Sequence, residues 1–298
     1  MAPAQPSRDF FRHFRAAGRR SHFLLSLFFL VLVPMTGVVA CGLGSPAVPA
    51  PTQTAQAAYI EQLATKMSVR LEATDAAAGP AATATAQAYQ SWLDTRQSWP
   101  LVLEETFDSN TNEWPTGEES GDLTDISWQV AGGIYHIEAT AKEGFYYWTH
   151  PTLDEVDDFY LVVDARQVSG PEDSDYGVVF HLQAINDVFS YYAFTLDSEG
   201  MYSFQMSYGG EWTTILDWQT SPAIRRYETN RIAVIAEGGH YNFFINDQFV
   251  AEADDPNLGH GTNGIVVGMY ETGVEAVFEF DNFILRAPLS IDISSQDG

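Results

Sequence analysis

The sequence is short of basic side chains and almost without cysteine. Its 298 residues hold 14 Lys and Arg against 40 Asp and Glu, a net charge of −26. A chain of that charge repels phosphate backbones and anionic lipid headgroups, which argues against nucleic acid as a partner. The single cysteine, Cys41, leaves no disulfide within the chain and no paired-cysteine metal or redox motif. His-Glu-x-x-His and Gly-x-Ser-x-Gly are also absent, so zincin and hydrolase-elbow chemistry have no local support. The seven histidines are scattered, and two of them, His13 and His22, precede Cys41. Stability must therefore come from core burial, for which 45% hydrophobic and 13% aromatic residues supply the material.

Long apolar runs are scarce too. The longest, FLLSLFFLVLV from Phe23 to Val33, follows a basic stretch with Arg8, Arg12, Arg15, Arg19 and Arg20. Small residues then lead to Val38-Val39-Ala40-Cys41. This order predicts an export signal over residues 1–40. The closing tetrad resembles the bacterial lipobox, in which the cysteine is lipidated and becomes the first residue of the mature protein. An ordinary secretory signal and an uncleaved anchor are the alternatives, although Pro34 interrupts the run and its length is near the lower limit for a span. In each case the body lies outside the cytoplasmic membrane; the lipoprotein reading tethers it through Cys41. Without residues 1–40, which carry five Arg and one Asp, 9 basic and 39 acidic side chains remain, a net charge of −30.

Residues 41–58 are rich in Pro, Ala and Thr and have no apolar period, as a flexible tether does. In the segment 59–99, Tyr59, Leu63, Met67 and Leu71 recur every four residues until Gly79-Pro80, which predicts a short amphipathic helix. Residues 81–97 extend it as a second helical or loosely ordered stretch. The segment acts as a spacer or as an oligomerising stalk, and the sequence leaves the oligomeric state open.

From residue 100 to 287 the rhythm changes to period two. Tyr176, Val178, Phe180 and Leu182 alternate with Gly177, Val179, His181 and Gln183. Tyr192, Phe194 and Leu196 repeat the pattern, as do Tyr202, Phe204 and Met206, then Tyr241, Phe243 and Ile245. On the last strand Ala276, Phe278, Phe280 and Ile284 form the predicted core face. Turn signals such as Gly209-Gly210, Gly238-Gly239 and Asn246-Asp247 fall between the runs. Short alternating strands without an intervening helical pattern predict an all-β, antiparallel sandwich of jelly-roll type, followed by a tail at 288–298.

The order of landmarks over residues 101–287 resembles the concanavalin A-like lectin/glucanase superfamily. They are LVLEETFDSNTNEW, GGIYHIEA, FYLVVDARQVSGPEDSDYGVVFHL, YYAFTLDSEGMYSF, EWTTILDW, TNRIAVIAEGGHYNFFINDQFV and VFEFDNFIL. Within that superfamily the chain is similar to laminin-G-like domains and to bacterial sandwich domains related to the 3-keto-disaccharide hydrolases. The resemblance implies two curved sheets with a concave face that often holds carbohydrate.

Glycoside cleavage needs two carboxylates on one face, and Glu279 and Asp281, two apart on a strand, reproduce half of the glucanase pattern. The acid/base position beyond them is Phe283 or Ile284, neither of which transfers a proton. An edge or rim pair that keeps a β-surface soluble is the competing explanation. Two acidic loops, with Asp173 and Asp175 and with Asp254 and Asp255, offer hard oxygens suited to Ca²⁺; solvated turns are the plain alternative. Sugar rings stack on aromatic planes while polar side chains meet their hydroxyls. Trp148, His181, Tyr191 and Gln205 are accordingly the predicted binding residues of the concave face. The leading expectation is a non-catalytic, membrane-anchored lipoprotein that binds carbohydrate or another extracellular ligand. A hydrolase of the keto-disaccharide type and a protein-binding scaffold are its rivals.

Overall fold

The computed structural model describes residues 91–185 and 188–288. The predicted signal region, the tether with Cys41, the helix expected before Gly79 and the tail after residue 288 lie outside the described residues. The chain divides into two compact units, and the strands belong to the one that includes Thr95–Gly298. Residues 91–97 are helical. No helix among the described residues is long and apolar enough to cross a membrane.

The described strands are antiparallel and form two sheets. The nine-stranded sheet contains β1 (Leu101–Glu105), β2 (Gly117–Ser120), β3 (Thr124–Ala131), β4 (Ile134–Ala141), β6 (Phe159–Ser169), β11 (Asn230–Glu237), β12 (His240–Ile245), β13 (Gln248–Asp254) and β15 (Glu275–Arg286). Its order is β13-β12-β11-β6-β15-β4-β3-β2, with β1 also paired to β15. The six-stranded sheet contains β5 (Phe145–Thr149), β7 (Asp175–Ile185), β8 (Val188–Leu196), β9 (Met201–Tyr208), β10 (Glu211–Thr220) and β14 (Thr262–Met269). Its order is β10-β9-β8-β7-β14-β5. An all-β, two-sheet antiparallel sandwich is therefore what the alternating sequence builds.

The dry layer between the sheets is aromatic. Phe194 of β8 stacks on Phe243 of β12 with centroids 4.4 Å apart, and Phe204 of β9 meets the same ring at 4.7 Å. Burying each such side chain stabilises the fold by roughly 1.5–3 kcal/mol. The first landmark closes one part of this core. Phe107, Trp114, Tyr135 and Phe283 pack with centroid distances of 5.2–5.4 Å. Asn110 holds that corner by accepting from the Trp114 N–H and donating to the Trp114 carbonyl, both at 2.8 Å. The residues before the strands are tied to the larger sheet. Arg96 donates to both carboxylate oxygens of Glu237 at 2.8 and 3.1 Å, and Arg286 donates to the Trp99 carbonyl at 3.0 Å.

Among several register shifts, two β-bulges change the predicted faces of side chains. On β7 the register shifts between Phe180 and Gln183, with His181 in the left-handed region at φ 50°. On β15 it shifts between Asp281 and Ile284, with Asn282 at φ 51°. Each inserts an extra residue and reverses the parity of the side chains beyond it. His181, predicted to face outward, is buried between the sheets, and Leu182 joins the apolar cluster on the outer face of the smaller sheet. Phe283 and Leu285 enter the core, and Ile284, predicted to be inside, is not part of it. Of the edge or rim placement expected for Glu279 and Asp281, the edge is excluded, since β15 lies between β6 and the pair β4 and β1.

Candidate functional site

The outer face of the six-stranded sheet collects the side chains that alternate with the core set. β5 contributes Tyr146 and Trp148, β8 Phe189 and Tyr191, and β10 Trp212, all in one aromatic cluster with Tyr270. Three of the four predicted binding residues come together on this face: Trp148, Tyr191 and Gln205, the last on β9 opposite Ala193. The fourth, His181, does not.

The face is strongly curved. Trp148 and Phe189 lie on β5 and β8, with β14 and β7 between them, yet their centroids are 4.8 Å apart. A flat sheet would separate those strands by about 14 Å at the usual spacing. Glycines on the intervening strands permit the approach. A Cβ on Gly264 would stand 2.2 Å from the Thr149 carbonyl oxygen, and one on Gly177 would stand 2.2 Å from that of Phe194. No other residue fits such backbone contact.

The aromatic strip has two parts. Tyr146, Tyr191 and Trp212 form a closed seam, with Trp212 5.1 Å from Tyr146 and 5.7 Å from Tyr191. Beside it, Trp148, Phe189 and His150 are only partly buried. The His150 ring stacks on Trp148 with planes 20° apart and centroids 5.9 Å apart. The Trp148 indole N–H is buried and has no hydrogen-bond partner. A buried donor left open costs about 1–3 kcal/mol, and the Trp114 and Trp128 indoles are unpartnered in the same way.

Polar groups border the strip. The Tyr146 and Tyr270 hydroxyls both donate to the Asp175 carboxylate, and the two hydroxyl oxygens are 2.8 Å apart. Burial first, and then the Asp175 charge, push the Tyr146 phenol well above its ordinary pKa; burial does the same to Tyr191. Both phenols are therefore neutral. The Gln205 amide donates to Ser203 Oγ at 3.1 Å. Sequence reasoning missed Phe189, His150 and Tyr270 as members of this face. Alternation could have placed Phe189, two residues before Tyr191; Tyr270 lies just beyond β14 and carries no such signal.

His181 has a different setting. Its Nδ1 is 2.9 Å from the Leu258 carbonyl oxygen and its Nε2 2.8 Å from that of Asp157, so its ring bridges two loops. Burial lowers its pKa from the ordinary histidine value, opposed by those backbone acceptors.

Glu279 and Asp281 stand on the other sheet, on its outer face, away from the aromatic strip. Glu279 accepts from Arg166 Nε at 2.6 Å and pairs with its Nη2 at 2.5 Å; His136 Nδ1 lies 3.6 Å away. A third acid does stand nearby: Asp164 of β6 is directly opposite Asp281. With Arg166, Asn282 and the two predicted acids it lines a shallow groove of about 340 Å³. Burial raises the Asp281 pKa, with the charges of Asp164, Asp108 and Glu105 adding to it. Asn282 donates to Asp164 Oδ2 at 3.0 Å, and its backbone N–H donates to Asp281 Oδ1 at 2.6 Å. These acids are joined to basic and amide groups within the sheet.

The calcium candidates have partners of their own. Asp175 holds the two tyrosines. Asp254 accepts from His240 Nδ1 at 2.8 Å, and Asp255 Oδ1 accepts from the Tyr192 hydroxyl at 2.5 Å and the Asn257 N–H at 3.0 Å. Asp173 lies in the turn before β7. Among the described residues no group of three or more His, Cys, Asp or Glu is placed to hold a metal ion.

The chain matches no known family model and no curated protein. Similar solved structures include the carbohydrate-binding module CBM66 from Bacillus subtilis, at 16% identity and TM-score 0.42, covering 58% of this chain and 96% of that one. A protein of unknown function with a galectin-like fold, also from Bacillus subtilis, is 13% identical with TM-score 0.47, covering 63% and 97%. The laminarinase catalytic domain from Thermotoga maritima is 12% identical with TM-score 0.48, covering 64% and 99%.

Proposed function

We propose that this protein is a non-catalytic carbohydrate-binding sandwich, exported and held to the membrane by lipidated Cys41. The observation that carries the binding reading is the partly exposed Trp148–Phe189–His150 platform. Sugars offer such a surface a C–H face to stack. The export pattern ending in Val39-Ala40-Cys41 supports the address.

The hydrolase alternative has less support. Glu279 is committed to Arg166, and the neighbouring acids lie in a shallow groove on the opposite side of the molecule from the aromatic platform. A glycan array with the full chain tests the reading: binding that weakens on Trp148→Ala supports it. An array with no signal from folded protein would overturn it. Hydrolysis of any glycan, lost on Glu279→Gln or Asp281→Asn, would establish the alternative.

A further inference from the structure

His181 lies where the chain passes between the two sheets. Loop 150–158 leads from β5 in the smaller sheet to β6 in the larger, and loop 255–261 leads from β13 back to β14. The loops meet at Val156 and Gly261, whose backbones exchange N–H···O bonds of 3.0 and 3.2 Å. Gly261 rests on the His181 bulge so closely that a Cβ there would stand 2.5 Å from the His181 carbonyl carbon. From below, the ring reaches one carbonyl of each loop, at Asp157 and Leu258.

A neutral imidazole has one N–H for these two acceptors. The tautomer protonated at Nε2 satisfies both loops, because the Tyr241 hydroxyl lies 3.1 Å from the Leu258 oxygen and 3.3 Å from Nδ1. A second proton would put a charge on a ring that is 1% exposed. Phe159, Phe180, Tyr192 and Tyr241 surround it at centroid distances of 5.3–6.1 Å. Burial outweighs the two carbonyls in setting its pKa. The ionisable neighbours divide: Asp157 favours the charge, and His260, itself 3.9 Å from Glu155, opposes it. Burial raises the phenols of Tyr192, which donates to Asp255, and of Tyr241, which feels the charges of Asp255 and Asp158, so both stay neutral.

We infer that His181 is an acid-released latch: neutral, it keeps the two loops together, and with a second proton it gives way until water reaches the ring. Loop 150–158 begins at His150, whose ring stacks on Trp148, so opening disturbs the aromatic platform. That consequence rests on the carbohydrate-binding reading above; the latch itself does not.

Amide hydrogen exchange of the full chain at Val156 and Gly261 tests the latch, with the Phe194 and Phe243 amides as the reference for global unfolding. After correction for intrinsic rates, the opening equilibrium of both loop amides should rise between about pH 7.5 and 5.5 by roughly threefold to tenfold. Tenfold is the limit for one group whose exposed pKa is about 6.5. His181→Gln keeps an amide donor without a titrating ring and should show no rise. Where that variant does not fold, the histidine ring titration followed by NMR in the unmodified protein decides, since opening must share the His181 midpoint. Equal or greater protection at the lower pH overturns the latch. So does the same rise in folded His181→Gln, or a midpoint belonging to another histidine. Affinity for the best glycan from the array should fall severalfold over the same window. Unchanged affinity while the loops open overturns the link to the platform and leaves the latch standing. No glycan bound at either pH counts against the carbohydrate reading alone.

Discussion

Tyr146 on β5 and Trp212 on β10 belong to the two opposite edges of the six-stranded sheet, yet their ring centroids are 5.1 Å apart. Side chains from both edges meet over a floor that contains Gly177, Ala193 and Gly264. The curl that brings them together also sets Trp148 beside Phe189 and forms the platform proposed for binding.

That curl depends on backbone contact at Gly264. A methyl group there would lie 2.2 Å from the Thr149 oxygen and 2.8 Å from His150 Cβ. Gly264→Ala should therefore destabilise the protein by about 1–3 kcal/mol, the usual cost of overpacking. It should also weaken glycan binding, since β5 carries Trp148. Urea unfolding with a binding assay on the same sample checks both; an unaltered midpoint would show that β5 has room to move.

Each half of the platform should contribute separately. Phe189→Ala and Trp148→Ala should each reduce glycan affinity about tenfold, the scale of one lost aromatic contact of 1–1.5 kcal/mol. Titration calorimetry with the best glycan from the array measures this. A Glu279→Gln control on the other sheet should bind as the unmodified protein does.

His181 makes stability depend on pH. Its pKa is lowered in the folded state, chiefly by burial, so the unfolded chain takes up the proton first. Its contribution is fully present above about pH 6.5, the ordinary histidine value, and is lost as pH falls below it toward the folded value. Asp157 and His260 act on the same ring with opposite signs, Asp157 favouring the charged form. Denaturation series between about pH 7.5 and 5 should show declining stability, with a shallower decline in His181→Gln. Equal slopes would assign the decline to other groups.

Asp281 works in the other direction. Its pKa is raised by burial and by Asp164, Asp108 and Glu105, so its charged form is disfavoured in the fold. Stability linked to it declines as pH rises from about 3.8 through the folded value. Asp281→Asn retains an oxygen for the Asn282 N–H and removes the like charge, and it should raise the melting temperature at neutral pH. A lower melting temperature would mean that the carboxylate is needed there.

Much of the fold was legible because each strand has one dry side. Tyr192, Phe194 and Leu196 or Tyr241, Phe243 and Ile245 announce their faces by period two, and all are buried as expected. The same rule located Trp148, Tyr191 and Gln205 together. It failed at His181 and Ile284, where a left-handed residue inserts one extra position and turns the next side chains over. GVVFHLQ and FDNFIL mark the bulge only faintly: His and Asn are enriched in the left-handed region, but that preference alone does not place an extra residue in a strand.

The sequence by itself determined the charge, the two-layer sandwich and the aromatic content of its faces, because these arise from composition and local periodicity. Only the tertiary structure decided that the edges of the smaller sheet curl until Tyr146 meets Trp212, that Arg166 holds Glu279, and that His181 turns inward. Those outcomes depend on which strands become neighbours and how closely their backbones pass, and such long-range contacts are set by packing of the whole sheet.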